Sequence, residues 1–111
     1  MAQYSATLDD VFSALSDPTR RAVVQRLDRE PATVGELAKP FAISLPSFMK
    51  HVRMLETSGL IHTTKTGRVR TCTLRPEQLS LVDGWLSQQR DVWLARTDRL
   101  EALVTNPKES L

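Results

Sequence analysis

Residues 44–56 read SLPSFMKHVRMLE, and this pattern predicts a helix with one apolar side. Ser44 suits the N-cap, because its hydroxyl can accept a hydrogen bond from a first-turn N–H, and Pro46 suits that first turn. Steps of three and four residues place four apolar side chains on one face, namely Leu45, Phe48, Val52 and Leu55. Lys50 lies on the opposite face, with Pro46, Ser47 and Arg53 beside it. The predicted helix therefore buries one face and presents a basic one.

Two helices are predicted near the N-terminus. Residues 8–15 have the apolar spacing of an amphipathic helix. Asp17 can cap a second helix with Pro18 at its first position, and this helix is expected to end at Glu30-Pro31. Arg20 and Arg21 in its first turn can either pair with Asp17 or bind phosphate.

A short helix precedes residues 44–56. Thr33 and Glu36 have the T-x-x-E spacing of a capping box, which predicts a helix running to Lys39 and ended by Pro40. A short helix, a turn and a second helix with a basic outer face form the helix-turn-helix arrangement. Its second helix, here called the recognition helix, fits the major groove of DNA.

A β-hairpin is predicted after the recognition helix. Gly59 suits the left-handed stop of that helix. Residues 61–65 and 69–74 are rich in β-branched side chains, and residues 66–68 provide the turn between them. The hairpin, here called the wing, carries Lys65, Arg68 and Arg70. Such a wing can reach phosphates or place an arginine in the adjacent minor groove.

The charge distribution agrees with these two elements. The 111 residues hold 15 basic and 13 acidic side chains, a net charge of +2. Residues 39–75 hold seven basic residues against Glu56 alone, a net +6, and the remainder holds eight against twelve, a net −4. Clustered Lys and Arg are the electrostatic mark of a nucleic-acid-binding surface. We expect duplex-DNA contacts from this set: Ser44, Pro46, Ser47, Lys50, His51, Arg53, Lys65, Arg68 and Arg70.

The final predicted helix, over about residues 77–104, carries more apolar surface than a small core can cover. Its stripe continues to Leu103 at steps of three and four residues, and tryptophan is a typical interface residue. This pattern predicts a homodimer through the first and last helices. The expected interface residues are Leu8, Val11, Phe12, Trp85, Leu86, Gln89, Trp93 and Leu100.

Length and composition exclude several classes of protein. A chain of 111 residues fits one domain with one core. No apolar run approaches the roughly 20 residues that cross a bilayer, and the N-terminus lacks the pattern of a signal peptide. The single cysteine, Cys72, excludes an internal disulfide. From these features we expect a cytoplasmic protein that is not membrane-bound. We also expect that it is not an enzyme, because no group of residues has the arrangement of a catalytic site.

Four blocks of the sequence resemble the ArsR family of winged helix-turn-helix repressors. The blocks are FSALSDPTRR at 12–21, TVGEL at 33–37, the recognition helix at 44–56 and SGLI at 58–61. The resemblance covers about residues 8–75 and implies the family's fold and its DNA binding. The expected fold class is mainly α with a small β-hairpin, in one domain over residues 1–111. Its parts are a helix-turn-helix at about 33–58, a wing at about 60–75 and dimerisation helices at about 8–15 and 77–104.

The sequence departs from the metal-sensing branch of that family. The corresponding stretch, Glu36 to Pro40, contains no cysteine, and the final helix contains no histidine. We therefore expect no metal and no cofactor. Met49 stands where many members have a serine, so this position lacks the hydroxyl with which those members can contact a base or a phosphate.

Two other functions remain open at this point. One is a ligand- or thiol-responsive sensor on the same fold, since His62 and Cys72 face each other if the turn is centred on Gly67. The other is a winged-helix module that binds protein.

Overall fold

Within residues 8–105, which the computed structural model describes, the helices and strands follow the predicted order with one strand added. The first seven residues, on which the expectation about a signal peptide partly rests, lie outside that range. The helices are α1 (Leu8–Leu15), α2 (Pro18–Leu27), α3 (Val34–Ala38), α4 (Leu45–Thr57) and α5 (Pro76–Thr105). The strands are β1 (Ala32–Thr33), β2 (Ile61–Thr66) and β3 (Val69–Leu74).

The predicted helix caps are present. The Asp17 carboxylate accepts the backbone N–H of Arg20 at 3.0 Å. Thr33 and Glu36 form the reciprocal capping box, with distances of 3.1 and 2.9 Å. The Ser44 hydroxyl accepts the backbone N–H of Ser47 at 3.3 Å at the start of the recognition helix, α4. Because each cap satisfies a donor within a few residues, local sequence is enough to specify these helix starts.

Two details of the helices differ from the prediction. Helix α2 ends at Leu27 rather than near Glu30, and Asp28 takes the C-cap. Leu45 is 57% exposed, although its spacing placed it on the buried face of α4. The other three members of that face, Phe48, Val52 and Leu55, are fully buried, and Phe48 stacks on Phe41 with ring centroids 5.6 Å apart. Leu45 lies in the first turn, where α4 projects beyond the core.

The sheet has three antiparallel strands in the order β1-β3-β2. Gly67 has a φ of 62° at the first position of the two-residue connection, as a type II′ hairpin turn requires. The register pairs Thr63 with Cys72 and His62 with Thr73. The predicted pairing of His62 with Cys72 is therefore wrong by one residue, and the two side chains lie on opposite faces of the sheet.

Helix α5 leaves the core after its first three turns. Leu79 and Val82 pack against the buried cluster, and Trp85 meets Phe12 of α1 edge to face with centroids 5.6 Å apart. Every side chain from Gln88 to Val104 is exposed. Among the described residues, no helix is long and apolar enough to cross a membrane.

Candidate nucleic-acid interface

The outward face of α4 carries the polar and basic residues that the sequence predicts there. Pro46, Ser47, Lys50 and Arg53 are all exposed, while Phe48, Val52 and Leu55 on the opposite face are buried. At the N-terminus the Ser44 hydroxyl also donates to the Ser47 hydroxyl at 3.0 Å. The positive end of the helix dipole lies at this turn, where it favours an anion. The helix therefore presents both formal and partial positive charge on the side away from the core.

The wing brings a second group of cations beside α4. Lys65 and Arg70 are register partners on β2 and β3, and Arg68 lies at the exposed tip next to Gly67. A Cβ built on Gly67 would meet nothing within 4 Å, so the tip is open to a partner. Its glycine is required by the positive φ rather than by crowding.

A groove of about 470 Å³ separates the wing from the helix-turn-helix. Its basic lining residues are Lys65, Arg68 and Arg70, and none of the described residues that line it is acidic. Leu45, Met49 and Val69 form an apolar part of the same lining. Exposed Leu45 is thus part of this groove rather than of the core. The groove can accommodate an anionic chain that contacts the recognition helix and the wing at once.

A strut of three polar side chains joins the wing to the recognition helix. The Thr63 hydroxyl donates to the Glu56 carboxylate at 2.6 Å and accepts a hydrogen bond from Arg70 at 3.0 Å. Arg70, predicted as a DNA contact, is half-buried and holds the wing in place. The sequence patterns do not predict this strut. Its one indication in the sequence is Glu56, the only acidic residue between 39 and 75, which would be expected to pair with one of the surrounding basic residues.

Thr63→Val is expected to lower the free energy of unfolding by about 1 kcal/mol, because it removes both hydrogen bonds of the strut. For a domain of this size that is a fall in Tm of a few degrees. Thr64→Val is the matched control on the neighbouring exposed position, where a change within about 0.5 kcal/mol is expected. Equal effects of the two variants in thermal unfolding would contradict the strut.

Arg20 and Arg21 both serve the structure. The Arg20 guanidinium donates to the carbonyls of Ser13 and Ala14 and to Nδ1 of His51, and Arg21 donates to the carbonyl of Leu15 at 2.8 Å. Neither guanidinium pairs directly with Asp17, which accepts the backbone N–H of Arg20 instead. His51, predicted as a DNA contact, is therefore hydrogen-bonded through Nδ1 to Arg20 of α2.

Cys72 has the properties of a core residue. Its side chain is fully buried, and burial together with the charge of Glu56 raises the pKa of the thiol to about 11. Since thiolate is the reactive form, a raised pKa and burial both oppose thiol chemistry. Among the described residues, no three His, Cys, Asp or Glu side chains group as metal ligands would.

The Cys72 thiol is expected to react slowly with disulfide reagents in the folded protein. With a pKa near 11 only about 0.1% of the thiol is ionised at pH 8, roughly 100-fold less than at a pKa of 9. Reaction with a disulfide reagent at pH 8 is expected to be slow in buffer and rapid in guanidinium chloride. Equal rates in the two solutions would reopen a thiol-sensing role.

The predicted subunit-interface residues differ in how far they are exposed. Val11 is fully buried in the chain's own core, so it is not available to a second subunit and that prediction is corrected. Leu8 is half-buried and Gln89 is exposed. The aromatic and aliphatic members have large exposed fractions: Phe12 38%, Trp85 41%, Leu86 49%, Trp93 65% and Leu100 64%.

Comparison with known proteins agrees with this arrangement. A family model described as a helix-turn-helix domain matches residues 15–64. The chain is 39% identical over 72 residues to the HTH-type transcriptional regulator Rv2034 of Mycobacterium tuberculosis, covering 65% of this chain and 67% of that protein. It is 32% identical over 79 residues to the transcriptional repressor SdpR of Bacillus subtilis, covering 71% of this chain and 88% of that protein.

A solved structure gives the same result for the three-dimensional fold. The crystal structure of the ArsR family transcriptional regulator RHA00566 superposes with a TM-score of 0.76 at 58% sequence identity. The match covers 78% of this chain and 89% of that one. The chain therefore belongs to the ArsR family of winged helix-turn-helix transcriptional regulators.

Proposed function

We propose that the chain is a dimeric repressor that binds duplex DNA at a pseudo-palindromic operator. The observation that carries this proposal is that the basic segment of the chain coincides with the recognition helix and the wing. The segment of net charge +6 contains the recognition helix and the wing. Of the described residues that line the groove between them, three are basic and none is acidic. Such a surface attracts a phosphate backbone and fits a helix into the major groove.

Each part of this surface has a distinct role in the proposal. Lys50 and Arg53 project from the exposed face of α4 and reach base edges or phosphates, with Pro46 and Ser47 beside them. The Ser44 end of α4 holds a phosphate at the helix N-terminus. Lys65 and Arg68 extend the contact to the flanking backbone or minor groove, while Arg70 braces the wing.

A second copy of the chain is proposed to cover the exposed part of α5. A helix of 30 residues is about 45 Å long, and every side chain from Gln88 to Val104 is exposed. An isolated helix of this kind is marginal in water, whereas pairing buries its apolar side chains. The proposed interface comprises Leu8, Phe12, Trp85, Leu86, Gln89, Trp93 and Leu100.

Repression is the regulatory direction that we propose. The similarity to a protein described as a transcriptional repressor supports it. A dimer that represses by binding over a promoter needs no catalytic activity, no metal and no cofactor. A bacterial regulator of this kind works in the cytoplasm.

Selection of bound fragments from a genomic DNA library tests the proposal. We expect enrichment of fragments with two related half-sites whose centres lie about 34–36 Å apart or a multiple of that spacing. Mobility shifts with an enriched fragment should weaken steeply as salt is raised, because phosphate binding releases counterions. Absence of any sequence-selective, salt-sensitive complex would instead favour a protein-binding winged helix.

A further inference from the structure

Arg20 joins three helices through its guanidinium group. Nε donates to the carbonyl of Ala14 at 2.7 Å, and Nη2 donates to the carbonyl of Ser13 at 3.2 Å. Both carbonyls belong to the last turn of α1, and that of Ser13 also accepts the backbone N–H and the hydroxyl of Ser16. The remaining nitrogen, Nη1, lies 2.9 Å from Nδ1 of His51 on the recognition helix. One side chain from α2 thus connects the end of α1 to the helix proposed to read DNA.

The chemistry of this contact fixes the proton on His51. A guanidinium group has five N–H donors, no acceptor, and does not lose its proton in proteins. Nδ1 must therefore accept, so a neutral His51 carries its proton on Nε2. The Asp17 carboxylate is 3.7 Å from Nδ1, too far for a hydrogen bond. That carboxylate already accepts the Arg20 backbone N–H, which holds the pKa of Asp17 below its ordinary value.

The other ring nitrogen of His51 is available to a partner. Within residues 8–105, Nε2 makes no hydrogen bond to the protein. Among those residues the buried side-chain polar atom that lacks a hydrogen bond is Oε1 of Gln78, so the unbonded Nε2 is not buried. Nε2 therefore reaches solvent. The His51 side chain is 23% exposed, next to Lys50 on α4.

We propose that Arg20 is a positioning residue that holds His51 in the Nε2–H tautomer, so that Nε2 donates to a DNA phosphate beside the recognition helix. The phosphate contact rests on the function proposed above, whereas the tautomer follows from the hydrogen bond alone. Arg20 acts through His51 and does not itself touch DNA. Because its other two bonds end on α1, the same residue links the recognition helix to a helix of the proposed subunit interface.

Nitrogen NMR of the ¹⁵N-labelled full chain at pH 7.5 tests the tautomer directly. The chain has two histidines, so exposed His62 serves as the internal reference. His51 is expected to give a single Nε2–H pattern, and Arg20→Met is expected to replace it with a mixture of tautomers. Arg21→Met is the matched control, because Arg21 also donates to an α1 carbonyl but has no contact with His51. A mixture or an Nδ1–H pattern in the wild type would overturn the assignment, and so would an unchanged pattern in Arg20→Met.

DNA binding tests the phosphate contact separately. His51→Ala and Arg20→Met are each expected to lower affinity about tenfold per subunit, as loss of a hydrogen bond to a charged group would. The double variant should bind no more weakly than either single one, because both act through the same contact. Additive losses would contradict the shared contact. A wild type with the expected tautomer but no DNA binding would overturn the phosphate contact and the proposed function, while the tautomer assignment would stand.

Discussion

Trp93→Glu is expected to convert the protein from a dimer to a monomer and to lower operator affinity at least about 1,000-fold. Trp93 is 65% exposed, and it lies in the part of α5 where every side chain from Gln88 to Val104 is exposed. In the proposed dimer this side chain is buried, and a charge in its place would be desolvated without a partner. A monomer reads a single half-site, so its affinity falls to the non-specific range.

Ala95→Glu is the matched control for this prediction. It adds the same charge two residues along the same helix, where the side chain is exposed and faces away from Trp93. Sedimentation equilibrium should give about 25 kDa for the wild type and for Ala95→Glu, twice the chain mass of 12.5 kDa, and the chain mass for Trp93→Glu. A wild type that sediments as a monomer at micromolar concentration would contradict the proposed interface even if Trp93→Glu fails to fold.

Lys50→Glu is expected to lower operator affinity about 100-fold or more while leaving the dimer intact. Lys50 is exposed on the face of α4 opposite the core, so the substitution disturbs no packing. Each dimer would replace two attractive phosphate contacts with two repulsive ones. Lys50→Ala should give a smaller loss, with a salt dependence flatter by about one unit per subunit.

Glu77 offers a control for the effect of charge on DNA binding. Glu77→Gln alters net charge by one unit in the first turn of α5, outside the segment of residues 39–75. Its affinity for the operator should change by less than about threefold. Unchanged affinity and salt dependence in both Lys50 variants would remove this residue from the interface.

The helix starts could be predicted from the sequence because their determinants are local. Asp17, the Thr33–Glu36 capping box and Ser44 each satisfy a donor within three residues of the cap. Gly59 ends the recognition helix with a φ of 82°, as its position after an apolar run indicates. The order of helices and wing followed from these signals, and with it the location of the basic surface.

Features that depend on distant contacts could not be predicted. Strand β1 has two residues, too few for any alternation to be visible. A turn centred on Gly67 would pair His62 with Cys72, but the centre lies between Gly67 and Arg68, so His62 pairs with Thr73. This shift of one residue in register places His62 and Cys72 on opposite faces of the sheet. Val11 and Phe12 are both apolar members of α1, and only the packing distinguishes the buried residue from the exposed one.

The candidate site was predicted in its composition but not in its internal connections. Lys50, Arg53 and Arg68 are exposed as expected. Arg70 and His51 were predicted as contacts of the same kind, yet each is held by another side chain, through Thr63 and Arg20 respectively. These bonds join residues from separate elements, and neither helical spacing nor strand alternation reports such pairs.

Hydroxyl-radical footprinting of the protein on a fragment enriched from genomic DNA tests the central claim most directly. We expect two protected segments related by a pseudo-twofold axis, with centres one helical turn of about 10–10.5 base pairs or a multiple of it apart. Lys50→Glu should abolish the protection at the concentration that saturates the wild type. A single protected segment, or uniform protection along any DNA, would contradict a dimer that reads its operator through the recognition helix and the wing.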